Sequence, residues 1–131
     1  MGAINSIEYV TIASPSNATD FGDLTVADRI KGGLSNTTRG VFGGGTANGG
    51  SNIIEYVTIQ TTGNATDFGD LTVGGTRGAN SGDASRGLFH GFFNATNGDT
   101  IDYITIDTTG NATDFGNLTA ARSNNDGTSG T

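Results

Sequence analysis

The sequence has no cysteine, no tryptophan, one proline and one histidine. Without cysteine there are no disulfide staples, no thiolate nucleophile and no thiolate metal site, and the redox compartment is left undetermined. The single histidine, His90, rules out a multi-histidine metal site within one chain and leaves a Ser-His-Asp triad without a credible partner set. Its expected role is a packed strand residue. Basic residues are also scarce, being Arg29, Lys31, Arg39, Arg77, Arg86 and Arg122 against 13 acids, for a net charge of -7. Such a balance repels a phosphate backbone, so no nucleic-acid partner is expected. No run of about 18 apolar residues occurs, so no membrane insertion is expected, and the opening MGAINSIEYV lacks the basic stretch of an export signal.

What the chain has is glycine, 23 residues of it, with Asn, Thr, Asp and Ser filling much of the rest. That is the composition of short strands joined by many turns, and it predicts an all-β fold. The arrangement is repetitive. IEYVTI begins at Ile7 and again at Ile54, and IDYITI begins at Ile101, so both offsets are 47 (54 − 7 and 101 − 54). NATDFG recurs at Asn17, Asn64 and Asn111 with the same offset, and the Arg-Gly pair at Arg39 recurs at Arg86. Self-similarity at such a period marks a repeat architecture in which one supersecondary unit buries its faces against neighbours.

Four antiparallel strands are read in each unit. IEYVTI alternates, with Ile54, Tyr56 and Thr58 on one side and Glu55, Val57 and Ile59 on the other, in a β-branched and aromatic run that suits a pleated surface. This is strand C. The connector QTTGN carries Gly63 and Asn64, which tolerate positive φ and are expected to reverse the chain into TDFGDLTV, strand D. GANSGDAS supplies a small-residue strand A and RGLFHGF a strand B, matching RGVFGGG one unit earlier. The expected repeat core is Tyr9, Phe21, Phe42, Tyr56, Phe68, Phe89, Tyr103 and Phe115.

This order resembles the kelch repeat, in which an apolar strand ends in a Gly doublet and is followed by a Tyr and a Trp at set distances. Gly43 and Gly44, Tyr56 and Phe68 stand at those places, with Phe replacing the usual Trp, while the doublet is lost in the next unit, where His90, Gly91 and Phe92 follow Phe89. The resemblance implies kelch-like β-propeller blades. TDFGDLT repeats are also similar to repeats in proteins of marine phages, which implies a virion or tail-fibre association and a virion or extracellular location, with a cytoplasmic interaction platform as the alternative.

On this reading the chain is one repeat domain, 1–131. Residues 1–26 are strands C and D of a split blade, 27–73 and 74–120 are complete blades, and 121–131 are strand A of the split one. Propellers use about four to eight blades, and four at this period need about 188 residues (4 × 47), so one 131-residue chain forms an incomplete ring. Homo-oligomerisation is expected. Two chains supply about 5.6 periods (262/47), close to a six-bladed ring closed by a dimer, with a strand-donating partner able to fill each gap. A fragment of a larger propeller is the other possibility.

Candidate sites follow from where the units differ. Sixteen of the twenty residues from Ile7 to Val26 match the copy at Ile54, whereas Ala27 to Gly33, Gly74 to Asn80, Thr46 to Asn52 and Phe93 to Asp99 match poorly. In a kelch-like blade those D–A and B–C links share one face, and variable loops on a rigid scaffold are the usual layout of a binding surface. The expected glycan- or protein-binding residues there are Arg29, Lys31, Arg77, Phe92, Phe93 and Asn94. Asp20 with Asp23, Asp67 with Asp70, and Asp114 with Asn117 are weaker candidates for a hard cation, since they lack the dense ligand run of a calcium loop and suit turn capping equally. No cofactor is expected. Asn-x-Thr occurs at Asn17, Asn36, Asn64, Asn94, Asn111 and Asn117, three of them generated by the repeat itself. Acids that repeat symmetrically argue for a non-enzymatic structural or adhesive module, ahead of a glycan hydrolase or lyase.

Overall fold

The computed structural model describes residues 2–129; the outer segments expected at Met1, Gly130 and Thr131 lie outside them. The described chain is all-β. Its strands are β1 Ile4–Tyr9, β2 Thr19–Asp28, β3 Gly32–Ser35, β4 Arg39–Gly43, β5 Ile53–Thr58, β6 Thr66–Asp70, β7 Ala79–Gly82, β8 Arg86–His90, β9 Phe93–Asn94, β10 Thr96–Thr105 and β11 Thr113–Arg122. They form three antiparallel sheets: β1-β2, then β3-β4-β5-β6, then β7-β8-β10-β11 with β9 beside β10. No helix among the described residues is long and apolar enough to cross a membrane.

The Phe-Gly of each TDFG segment sets the shape of the long hairpins. Ile7 pairs with Gly22 but Glu8 pairs with Asp20, so Phe21 is an extra residue, a β-bulge. Phe68 and Phe115 are bulged likewise, between Ile54↔Gly69 and Glu55↔Asp67 and between Ile101↔Gly116 and Asp102↔Asp114. The glycines take φ of 151°, 147° and 144°, where a Cβ is strained. Each bulged Phe meets the hairpin's Tyr edge-on, with centroids 5.8 Å apart for Tyr9–Phe21, 5.9 Å for Tyr56–Phe68 and 6.0 Å for Tyr103–Phe115.

Neighbouring sheets are joined by one set of contacts that occurs twice. Between the first and second sheets, Gly63 N–H donates to the Phe21 carbonyl at 2.7 Å and Ala65 N–H to the Asp23 carbonyl at 2.8 Å. Asp23 N–H returns to Asn64 Oδ1 at 3.0 Å. Thr25 donates from N–H and Oγ1 to Glu55 Oε2 at 2.7 and 2.6 Å. Between the second and third sheets the same bonds run from Gly110 N–H to the Phe68 carbonyl, 2.7 Å, and from Ala112 N–H to the Asp70 carbonyl, 2.8 Å. Asp70 N–H donates to Asn111 Oδ1 at 3.1 Å, and Thr72 donates from N–H and Oγ1 to the Asp102 carboxylate at 2.7 and 2.6 Å. A Cβ on Gly22 or Gly69 would collide with the carbonyl of Gly63 or Gly110, so glycine also permits this close approach. The latch thus supplies donors to carboxylates that the sheets bury, to both oxygens of Asp102 and to Oε2 of Glu55.

Apolar packing fills the space between the second and third sheets, where Val41, Ile54, Phe68, Leu71, Phe89, Ile104 and Ile106 form one cluster. Phe89 lies on Gly43 and Leu34 on Gly87, so the small residues of one sheet receive the large ones of the next. The small-residue strands β3 and β7 also lie together, with Gly32 against the Asn80 side chain.

The structure departs from the sequence expectation at three places. Gly63 and Asn64 do not take positive φ; the chain reverses one step earlier, through Thr61 N–H to the Thr58 carbonyl at 3.2 Å, and Gly63 and Asn64 serve the latch. Residues 123–129 form no strand, because among the described residues none lies in ladder register with them, and β11 runs on to Arg122. Of the expected core, Phe68 and Phe89 are buried and Phe21, Phe42, Tyr56 and Tyr103 are half-buried, but Tyr9 and Phe115 are exposed because they sit on the outer flanks of the first and third sheets.

Candidate binding site

The two kinds of variable loop are held by backbone conformations that non-glycine residues rarely adopt. After each D strand, Ile30, Arg77 and Asn124 have φ of 59°, 62° and 56°, and in the following link Asn48 and Ala95 have φ of 54° and 61°. Each pair of neighbours is 47 positions apart (77 − 30, 124 − 77, 95 − 48). These links are specific turns and not loose connections.

Two of the six expected binding residues turn inward. Lys31 Nζ lies 3.0 Å from Glu55 Oε1 and 3.7 Å from Asp28 Oδ2, and donates to the Gly44 carbonyl at 3.0 Å, with its side chain 8% exposed. Asp28 in turn accepts from the N–H groups of Arg29, Thr46 and Ala47 at 2.7, 2.6 and 2.9 Å, and from Thr46 Oγ1 at 3.1 Å. One unit later, glycines Gly75 and Gly78 replace Asp28 and Lys31, and Phe92, at the position of Gly45, fills the vacated space. Its ring lies against Gly44 and Gly78 and its Cβ against Gly75. Phe92 is 6% exposed. Lys31 and Phe92 are therefore two solutions to one packing problem, an ion cluster in one unit and an aromatic ring in the next, which accounts for the divergence of these links without any ligand.

The remaining residues stay at the surface. Phe93 N–H donates to the Thr76 carbonyl at 2.7 Å and Thr76 N–H to the Phe93 carbonyl at 2.9 Å, an isolated bridge that brings the two links side by side. It sets the Arg77 guanidinium 5.5 Å from the centre of the half-buried Phe93 ring, within cation-π reach. Arg77 is exposed. Asn94, exposed, follows Phe93 on β9 and its amide faces Gly50, so it is not part of the same patch. Arg29 is exposed, with its backbone tied to Asp28. Arg77 and Phe93 are thus the pair the fold assembles from the expected set.

A second feature was not read from the sequence. Two equivalent clefts open beside the hairpin turns, one of about 340 Å³ lined by Tyr56, Thr58, Thr61, Thr62, Asn64 and Thr66, the other of about 270 Å³ lined by Tyr103, Thr105, Thr108, Thr109, Asn111 and Thr113. Arg39 stacks 4.4 Å over Tyr56 and Arg86 5.3 Å over Tyr103 at their margins. The repeated Thr-Thr-Gly-Asn segment is the signal for them in the sequence, where it reads only as a chain reversal.

The acids have structural work. Asp114 Oδ1 accepts Gly116 N–H at 3.2 Å, while the backbones of Asp23 and Asp70 belong to the latches. Among the described residues no three His, Asp or Glu side chains converge as metal ligands would, and this includes Asp20, Asp23, Asp67, Asp70 and Asp114. His90 is half-buried; its Nδ1 lies 3.0 Å from Asn125 Nδ2, and burial holds its pKa below the ordinary 6.5. No protein-family model matches this chain, and a search of curated proteins finds no match either.

Proposed function

We propose that the chain is a non-enzymatic structural and adhesive module of kelch-like propeller blades, and that it contacts glycan or protein through the face carrying Arg77 and Phe93. The observation that carries this reading is the Arg77–Phe93 pair, a cation stacked on an aromatic ring at the meeting point of two loops held by a rigid sheet array. Aromatic faces stack on sugar rings, and Arg with aromatic anchors dominates protein interfaces. The similarity of the TDFGDLT repeats to marine-phage proteins adds a virion or tail-fibre setting. The meander order β3-β4-β5-β6, with small-residue strands β3 and β7 adjacent, supports blades arranged around an axis.

A glycan array and a parallel protein pull-down test the proposal. Binding in either should fall at least about tenfold on Phe93→Ala and on Arg77→Ala, with thermal stability little changed. Carbohydrate signal selects adhesion, whereas a protein partner alone selects the interaction platform. Binding that survives both substitutions would place the ligand elsewhere and sink this reading.

A further inference from the structure

The latch between sheets has a strand side, such as Phe68, Asp70 and Thr72, and a turn side, such as Gly110 to Ala112 with Asp102. Two latches are filled within the chain. Advancing the strand side of the second by 47 positions gives Phe115, Asn117 and Thr119 on β11; moving the turn side of the first back by 47 gives Ser16 to Ala18 and Glu8. Both halves are present, and among the described residues neither is engaged.

Their exposure shows what is missing. Phe115 is 56% exposed where Phe68 is 2%, and nothing lies within 4 Å of a Cβ on Gly116, whereas the equivalent position at Gly69 is pressed by the Gly110 carbonyl. Glu8 is exposed where Glu55 and Asp102 are buried, and Val10 is 53% exposed where Val57 is 7% and Ile104 3%. Both halves also have the right conformation. The bulge at Phe115 and Gly116 matches that at Phe68 and Gly69, and Thr108, Thr61 and Ser14 close the same turn through N–H donation three residues back.

We infer that these two surfaces are one heterologous interface, and that β11 of one copy latches head to tail onto the Ser16–Ala18 turn of a second copy of this chain. In the complex, Ser16 and Ala18 N–H donate to the carbonyls of Phe115 and Asn117, Asn117 N–H donates to Asn17 Oδ1, and Thr119 donates to the Glu8 carboxylate. The occupant is a second copy because each half is the covalently fixed partner of the other at the two internal junctions. Residues 123–129 extend the match. Gly127 presses on the Asn80 carbonyl and Gly82 N–H donates to Ser129 Oγ at 3.1 Å, so this segment flanks β7 as β7 flanks β3, beside the place the second copy's β1-β2 sheet would take. A head-to-tail contact of this kind either closes a ring or propagates. The inference needs only the junction geometry and is independent of the ligand-binding reading.

Sedimentation equilibrium on the chain, with Gly116→Ala and Glu8→Ala variants, tests this directly. Wild type should associate, and each variant should weaken association by about tenfold or more, since one blocks the close approach and the other leaves Thr119 without its acceptor. Glu8 is exposed and does not itself take a positive φ, so truncating its side chain stays informative if Gly116→Ala disturbs its own hairpin. Mixing the two variants should restore a one-to-one complex, because that pair keeps one intact latch. Arg77→Ala should associate as wild type does. A wild-type monomer at all concentrations, association indifferent to both substitutions, or a mixture no tighter than either variant alone would overturn the inference.

Discussion

Replacing Lys31 with Met removes the one ammonium between two buried carboxylates while keeping the length of the side chain. Asp28 and Glu55 side chains are 1% and 0% exposed, and Lys31 Nζ approaches both, at 3.7 and 3.0 Å. Breaking a buried ion pair by deleting one partner costs about 3–5 kcal/mol, because a charge is left uncompensated in a low-dielectric site. With an unfolding entropy of about 2.1 cal/mol/K per residue, a chain of this length loses about 11–18 °C in Tm. Thermal unfolding followed by far-UV circular dichroism at neutral pH reads this. Lys31→Met with Glu55→Gln should recover part of the loss, since Asp28 keeps its four donors from Arg29, Thr46 and Ala47 while the second charge is gone. A fall of less than about 4 °C in the single variant, near 1 kcal/mol, would show that Lys31 is a solvated surface residue after all and would reopen its role as a ligand contact.

Two further outcomes are expected. Burial lowers the His90 pKa from 6.5, so the unfolded chain takes up the proton first as pH falls; the stability His90 contributes is full above about 6.5 and declines as pH drops from there through the folded value. An NMR titration of the single imidazole should give a midpoint below 6.5, and one at or above that value would refute a packed, Asn125-bonded His90. Gly69→Ala and Gly116→Ala carry similar positive-φ strain, but only the former drives a Cβ into a neighbouring carbonyl, so in dilute solution Gly69→Ala should be the more destabilising by about 1–3 kcal/mol in urea unfolding. Equal losses would mean that the close approach is not required.

The periodic features of the fold were legible in sequence. Alternation in IEYVTI and the glycine-rich links gave strands C and D and placed A and B before them, and the structure has antiparallel strands at those segments. What the one-dimensional pattern hid were contacts between units. Glu55 shares one side of its strand with Val57 and Ile59, but the local pattern carries no sign of what pairs with a carboxylate buried there, because Thr25 and Lys31, which reach it, are 30 and 24 positions away. Gly69 reads as a strand glycine, but a bulge and a neighbouring carbonyl require it. For the candidate site, divergence between copies marked Lys31 and Phe92 as variable and therefore functional. Variation there reflects exchange of an ion cluster for an aromatic ring, which only the three-dimensional neighbours reveal. Arg77, exposed, and Phe93, half-buried, lie on neighbouring links, and their stacking could not be read from their separation in sequence.

Amide hydrogen exchange tests most directly whether turn-to-strand latches hold neighbouring sheets together. The N–H groups of Gly63, Ala65, Gly110 and Ala112 lie in turn segments outside any strand, yet each donates across a junction. They should exchange as slowly as the central amides of β5 and β10. Exchange of those four amides at the rate of an open surface turn would contradict the account.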